Sequence, residues 1–263
     1  MCLILFAHKI HPDYPLVLAA NRDEAYARPT ASAAFWGDHP HLYGGRDLEQ
    51  GGTWLGLTRQ GAIAAVTNFR EGAGARTSTR SRGELVANYL HEFQRPPDYL
   101  ARVHADANAY NGFNLIAGNP DELCYLSNRG GPPAIVAPGV HGLSNHLLDT
   151  PWPKVVRGRK IMTELLQSRS HALIEGLFSL LAERSVAPDD ALPQTGVGLS
   201  RERVLSPAFI ASMSYGTRSS TVVLIDNHGQ VEFIERSFGE LGTPGDNMAG
   251  RFALEAAPTP AAV

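Results

Sequence analysis

The segment Cys2-Leu3-Ile4-Leu5-Phe6-Ala7 is an apolar run of strand length, and it places a cysteine directly after Met1. Because Met1 is generally removed before a small second residue, we expect Cys2 to become the first residue of the mature chain. Its thiol and free α-amine would then share one carbon, which makes a nucleophile with its own base. The alternative is that Cys2 is a small apolar residue at the start of a buried strand.

Outward from this segment, groups of strands alternate with groups of helices. Short apolar runs bounded by turn residues predict strands, and apolar residues at helical spacing predict helices. The predicted strands are 2–7, 16–20, 54–58, 62–67, 113–117, 123–127, 134–137, 219–225 and 231–236. The predicted helices run from a capping box at 81–84 to the prolines at 96–97, from Asp98 to about Ala107, over 152–166, and over 171–184 with Ser170 as N-cap.

Hairpin-paired strands with helices grouped between them predict an α+β fold of stacked antiparallel sheets covered by helical layers. The inner strands lack strict alternation of apolar and polar residues, which is typical of sheets buried on both faces. No linker or repeat interrupts residues 1–250, so the sequence predicts one domain there. The Ala/Pro-rich end, 251–263, is predicted to be a flexible tail.

Composition excludes several classes of function. The 263 residues are 43% hydrophobic and 19% charged with a net charge of −3, and no block of Lys or Arg suggests nucleic-acid binding. The apolar start is too short for a signal peptide or a membrane span, so no stable membrane insertion is expected. Two distant cysteines, Cys2 and Cys124, fit a reducing compartment, and we expect the protein to be cytoplasmic.

A series of short motifs carries a resemblance to a known family. These motifs are Asn21-Arg22-Asp23-Glu24, Gly44-Gly45-Arg46-Asp47, Gly51-Gly52-Thr53-Trp54-Leu55-Gly56, Thr67-Asn68-Phe69, Arg82-Gly83-Glu84-Leu85-Val86, Asn111-Gly112-Phe113-Asn114-Leu115, Gly142-Leu143-Ser144-Asn145, Thr150-Pro151-Trp152-Pro153-Lys154, Tyr215-Gly216-Thr217-Arg218-Ser219 and Glu235-Arg236-Ser237. Together they closely resemble the NRDE family, which is the Transport and Golgi organisation 2 family. The resemblance covers about Met1 to Phe238 and implies an N-terminal-nucleophile (Ntn) hydrolase-like, four-layer αββα sandwich.

By the same resemblance, Cys2 would be the nucleophile and its α-amine the base. Arg22 and Asp23 resemble the arginine and aspartate that hold the thiol and amine in Ntn hydrolases with a leading cysteine. In the bile-salt enzymes two residues separate that pair, whereas here Arg22 and Asp23 are adjacent. Neighbours on a regular strand point to opposite faces. The alternative is therefore that the two form a structural ion pair at a strand end.

The remaining site residues implied by the resemblance are Asn68, Asn145 and Arg218. Asn68 and Asn145 would supply oxyanion and backbone-positioning groups, and Arg218 would complete the site. The alternative for both asparagines is the satisfaction of buried backbone in turns. The glycine-rich segment at 44–52 is predicted to be a loop that packs closely beside the site, because it lacks any phosphate-binding pattern.

The sequence and the resemblance leave two functions open. The first is a Cys-dependent Ntn hydrolase that cleaves a non-peptide amide in a small molecule and requires no cofactor. The second is a non-catalytic carrier of haem or lipid that uses the same pocket, with haem as the carried ligand. No histidine spacing suggests a metal site, and Cys124 is expected to be inert core.

Overall fold

The computed structural model describes residues 2–72, 80–92, 94–168 and 170–255. The strands are β1 (Cys2–His8), β2 (Leu16–Ala25), β3 (Thr30–Phe35), β4 (Leu42–Asp47), β5 (Leu55–Thr58), β6 (Ile63–Asn68), β7 (Phe113–Gly118), β8 (Leu123–Ser127), β9 (Ala134–Ile135), β10 (Gly139–Leu143), β11 (Tyr215–Ile225), β12 (Gln230–Phe238) and β13 (Pro244–Ala253). The helices are α1 (Arg82–Glu92), α2 (Pro96–Ala105), α3 (Pro153–Leu165), α4 (Ser170–Leu181) and α5 (Leu199–Leu205).

Two antiparallel sheets form the centre of the fold. The first has six strands in the order β10-β1-β2-β11-β12-β13, and the second has seven in the order β3-β4-β5-β6-β7-β8-β9. In the first sheet, Cys2 of β1 lies directly opposite Arg22 of β2. Cys2 therefore lies at the end of an inner strand of this sheet, beside the motif that follows the apolar part of β2.

Alternation along β1 shows how the layers are built. Ile4 and Phe6 point into the core between the two sheets. Leu3 and Leu5 point the other way and pack with residues of α3 and α4. A third core joins the second sheet to α1 and α2. The predicted four-layer αββα sandwich is confirmed, and so is the prediction that inner strands are buried on both faces.

The structure corrects the prediction of a loop at 44–52. Gly44 and Gly45 belong to β4 and are buried. A Cβ on Gly45 would lie 2.3 Å from the Trp54 ring, and one on Gly44 would lie 2.7 Å from the Leu55 carbonyl oxygen. The glycines therefore allow a strand to approach its neighbours closely. The segment packs closely, as predicted, but Gly44 and Gly45 do so in a strand and not in a loop.

Two predicted boundaries also move. Pro96 and Pro97 form the first turn of α2, where proline is tolerated because the first backbone N–H groups of a helix have no intrahelical acceptor. At the other end of the chain, β13 continues to Ala253, and the Leu254 amide donates to the Gly229 carbonyl at 2.7 Å. This part of the predicted tail is thus paired with the sheet, while 256–263 lie outside the described residues.

Candidate active site

Cys2 opens onto a cavity of about 300 Å³ between the ends of the two sheets. Side chains from β2, β4, β6, the start of α1 and the loops between them line it, and most are charged or polar. Cys2 and Arg22 share the inter-sheet face of their strands with Ile4 and Phe6, which explains why both reach this cavity. The cavity is thus built around the residue that the sequence singles out.

Arg22 is buried beside the thiol without an ion-pair partner among the described residues. Its Nη1 donates to the Thr30 hydroxyl at 3.0 Å, and its guanidinium lies 4.2 Å from the centre of the Trp54 ring. Among the described residues, no carboxylate lies within ion-pair distance of Arg22, and the structural ion pair with Asp23 is not formed. Burial lowers the pKa of Arg22, and the negative charge of an ionised Cys2 opposes that shift.

Asp23 lines the same cavity although it points to the other face of β2. The pairing between β1 and β2 begins at Cys2 and Arg22, so Asp23 lies one residue past the described end of β1. Its Oδ1 accepts a hydrogen bond from the Thr217 hydroxyl at 2.7 Å. Burial raises the pKa of Asp23, while the nearby Lys154 and the Thr217 hydrogen bond lower it. Arg22 and Asp23 therefore both line the cavity, although they are adjacent in the sequence.

The surroundings of Cys2 do not lower the pKa of its thiol, so the thiol needs a base to become a nucleophile. Burial raises the pKa of the thiol, and the Asp23 carboxylate adds to that shift. The backbone of Asp23 and the Arg22 cation act in the opposite direction but do not reverse it. The thiol is consequently protonated at neutral pH, so any nucleophilic attack by this sulfur requires removal of its proton during the reaction.

Asn68 and Asn145 are brought together but have different positions. Asn68, at the end of β6, lines the cavity, whereas Asn145 is fully buried beneath it. The Asn145 Nδ2 donates to the Asn68 carbonyl at 3.1 Å, and the Arg70 amide donates to the Asn145 carbonyl at 2.7 Å. Ser144 also donates to the Cys2 carbonyl at 3.2 Å. Asn68 is thus placed to contact a ligand, and Asn145 is placed to position Asn68.

Arg218 lies outside this cavity, in the wall of a neighbouring one. Its Nη1 donates to the carbonyls of Ala25 and Arg28 at 3.0 and 2.9 Å. The register between β11 and β2 shifts between Thr217 and Ser219, which places Arg218 at a bulge opposite the Arg22-Asp23 pair. Arg218 therefore supports the turn after β2 rather than facing Cys2.

Sequence reasoning missed two cationic residues near the thiol. Arg82 lines the cavity from the first turn of α1 and donates to the Gly112 carbonyl at 3.2 Å. Lys154 of α3 is buried, and its Nζ donates to the Leu205 carbonyl at 3.0 Å. Burial lowers the pKa of Lys154 to about 8, against the attraction of Asp23. In the sequence, Arg82 belongs to a helix cap and to one family motif, and Lys154 belongs to another motif, but neither pattern predicts a site role, so the fold is needed to show where they lie.

In the described ranges, no group of three or more His, Cys, Asp or Glu side chains is arranged to hold a metal ion. The same ranges contain no helix of the length and hydropathy needed to cross a bilayer.

These observations define an αββα protein with a cysteine-centred, polar cavity between its sheets. The profile of the Transport and Golgi organisation 2 family matches residues 1–240, and the chain belongs to that family, as the resemblance implied. The Transport and Golgi organization protein 2 homolog of Bos taurus is 40% identical over 257 residues, covering 90% of this chain and 93% of the relative. The Drosophila melanogaster protein of that name is 32% identical over 276 residues, covering 94% and 95%.

Among solved structures, the C2A mutant of the conjugated bile acid hydrolase from Clostridium perfringens is similar with a TM-score of 0.42 and 8% identity, covering 97% of this chain and 92% of that one. The Caenorhabditis elegans ortholog of N-acylethanolamine-hydrolyzing acid amidase gives a TM-score of 0.37 and 14% identity, covering 84% and 92%.

Proposed function

We propose that this protein is a cytoplasmic, cysteine-dependent hydrolase that cleaves a non-peptide amide bond in a small molecule. The observation that carries the proposal is the placement of Cys2, which lines a polar cavity together with two buried charged groups. These are the cation of Arg22, which has no ion-pair partner within the described ranges, and the carboxylate of Asp23. Burying an arginine without an ion-pair partner destabilises the folded protein, and destabilising arrangements of charged groups are characteristic of functional sites.

In the proposed reaction, the α-amine freed by loss of Met1 takes the thiol proton while the sulfur attacks the amide carbonyl. The resulting oxyanion is stabilised by the side-chain amide of Asn68, whose backbone carbonyl accepts a hydrogen bond from the Asn145 side chain. Collapse breaks the C–N bond, and the ammonium returns the proton to the leaving amine. Water, deprotonated by the same amine, then adds to the thioester carbonyl. The C–S bond breaks, the sulfur takes back the proton from the ammonium, and the carboxylic acid leaves. Asp23 orients the ammonium, and Arg22 and Arg82 favour negative charge on sulfur.

The second proposal, a carrier of haem or lipid, receives less support from this cavity. A haem is large, flat and mostly apolar, whereas the cavity is about 300 Å³ and includes four arginines, Arg22, Arg28, Arg80 and Arg82. No histidine or tyrosine is among the described residues that line it, so Cys2 would have to be the axial ligand. A haemin titration that saturates at one equivalent in the wild type but not in Cys2→Ala would favour this carrier function.

The hydrolase is tested with a panel of N-acyl amines and anilides by measuring the released amine. We expect turnover in the wild type and in Cys124→Ala, because Cys124 is buried in β8 and does not line the cavity. Cys2→Ala should remove turnover and keep the melting temperature. Equal turnover in Cys2→Ala and wild type would contradict the proposal.

A further inference from the structure

A second cavity, also about 300 Å³, lies on the other side of Arg22 and Trp54 from Cys2. The two residues line both cavities, and the stacked guanidinium and indole form the partition between them. The remaining walls come from β3, β11, β12 and the start of β13. Nothing in the proposed hydrolysis uses this space.

The wall of this second cavity contains a buried hydroxyl that has no hydrogen-bond partner of good geometry among the described residues. Ser219 is 5% exposed, and its Oγ has no hydrogen-bond partner in the described part of the chain. It lies near enough to lower the pKa of Glu235, but not in a geometry that makes a hydrogen bond. Since buried hydroxyls are nearly always hydrogen-bonded, an unpartnered one in a cavity wall indicates a site for an external polar group.

Glu235, beside it, has acceptor capacity to spare. Its side chain is buried, and burial raises the pKa of its carboxyl. Oε1 accepts from the Ala33 amide at 2.8 Å, and within the described ranges Oε2 accepts a long bond of 3.4 Å from the Thr221 hydroxyl. A carboxylate offers about four acceptor positions, so roughly half remain for a ligand that donates hydrogen bonds.

The charge around the cavity is balanced. Two cations, Arg22 and Arg218, face two acids, Glu235 and Asp246. The other polar groups in the walls are hydroxyls, those of Thr30, Ser32, Ser219 and Ser237. A ligand with a net charge gains nothing from such a balanced wall, whereas a neutral ligand with several hydroxyls can both donate to Glu235 and exchange hydrogen bonds with the serines.

We propose that the cavity behind Arg22 and Trp54 is a binding site for a small, neutral, polyhydroxylated group such as a sugar or polyol. Its volume is at the lower limit of small-molecule pockets, which suits one ring or a short chain. The site does not depend on hydrolysis by Cys2. If the protein is an amide hydrolase, the group bound here would be a hydroxyl-rich part of its substrate or an effector that contacts Arg22.

Ligand-detected NMR titrations of the full-length Cys2→Ala protein with myo-inositol, D-glucose and glycerol test this site without any turnover. We expect saturable binding of at least one polyol. The affinity should fall at least about tenfold in Glu235→Gln, which loses the charge-assisted hydrogen bonds, and in Ser219→Ala. The matched control is Glu232→Gln, three positions earlier on β12, whose carboxylate pairs with Arg251. This control should bind as the parent does.

Because Glu235 is buried, each variant is first compared with the parent by circular dichroism and melting temperature, and Ser219→Ala decides the result if Glu235→Gln does not fold. Absence of saturable binding by all three polyols would overturn the proposal. Equal affinity in all variants would overturn it as well. Tighter binding of glucosamine or gluconate than of glucose would refute the assignment of a neutral ligand.

Discussion

The buried ion pair between Arg70 and Glu202 provides a sharp test of how the site is supported. Arg70 Nη1 and Glu202 Oε2 are 2.5 Å apart, and each side chain is 4% exposed. The pair connects α5 to the chain that follows β6, where Arg70 also holds the carbonyl of Asn145. Replacing Glu202 with glutamine keeps the shape of the side chain and removes its charge.

The cost follows from what remains buried. Removing one partner of a buried ion pair typically costs about 3–5 kcal/mol, because the other charge stays in the interior. In Glu202→Gln the new amide oxygen can still accept from Thr195, and the Arg70 guanidinium still lies 4.6 Å from the centre of the Trp152 ring. These contacts retain part of the stabilisation. We therefore expect Glu202→Gln to lower the free energy of unfolding by about 3 kcal/mol, the lower end of that range.

Urea denaturation followed by tryptophan fluorescence measures this cost, with the midpoint compared at a shared slope. The control is Asp189→Asn, which breaks the exposed pair with Arg203, the residue next to Glu202 on α5. Because exposed pairs contribute little, the control should leave the midpoint unchanged. If Glu202→Gln also leaves it unchanged, the buried pair does not hold α5 against the site and the reasoning is refuted.

Three further predictions concern the thiols, Lys154 and the glycines of β4. Cys2 lines the cavity, whereas Cys124 is buried in β8 and burial raises the pKa of its thiol to about 11, so iodoacetamide at pH 8 should label Cys2 faster than Cys124, which peptide mass spectrometry checks. A Lys154 pKa lowered to about 8 means that the unfolded state binds more protons between pH 8 and 10.5, so stability from this residue rises with pH across that window. Lys154→Met should therefore melt at a higher temperature than wild type, and the difference between the two should be smaller at pH 10 than at pH 7. A difference that is the same at both pH values would contradict the lowered pKa of Lys154. Gly45→Ala should cost about 1–3 kcal/mol through overlap with an indole ring. Gly37→Ala, whose added Cβ meets no atom of the described residues within 4 Å, should cost less than about 1 kcal/mol in the same urea assay.

Much of the fold could be predicted because it depends on local patterns. The hairpins around 59–61 and 226–229 and the apolar strands β1, β2 and β11 are visible as runs and turns in the sequence, and their grouping with helices indicates stacked sheets. The sequence does not reveal β3 and β4, because these strands are poor in β-branched residues. Their stability comes from pairing and close packing against Trp54, which only the tertiary structure shows.

The candidate site was predictable only in part. Cys2, Arg22, Asp23 and Asn68 line one cavity, whereas Asn145 and Arg218 act through backbone groups of their neighbours. Residue types at matching motif positions indicate which residues are near the site, but not which side chain faces the ligand. Arg82 and Lys154 approach Cys2 and Asp23 from helices that are distant in sequence, so only the packing of those helices on the sheets brings their charges into the site.

The central claim is that Cys2 acts with a free α-amine as its own base. The most direct test is the intact mass of untagged protein expressed without any N-terminal fusion. We expect a single species that lacks Met1 and therefore begins with Cys2. A population that retains Met1 would contradict it, because the nitrogen of Cys2 would then be an amide that cannot take the thiol proton.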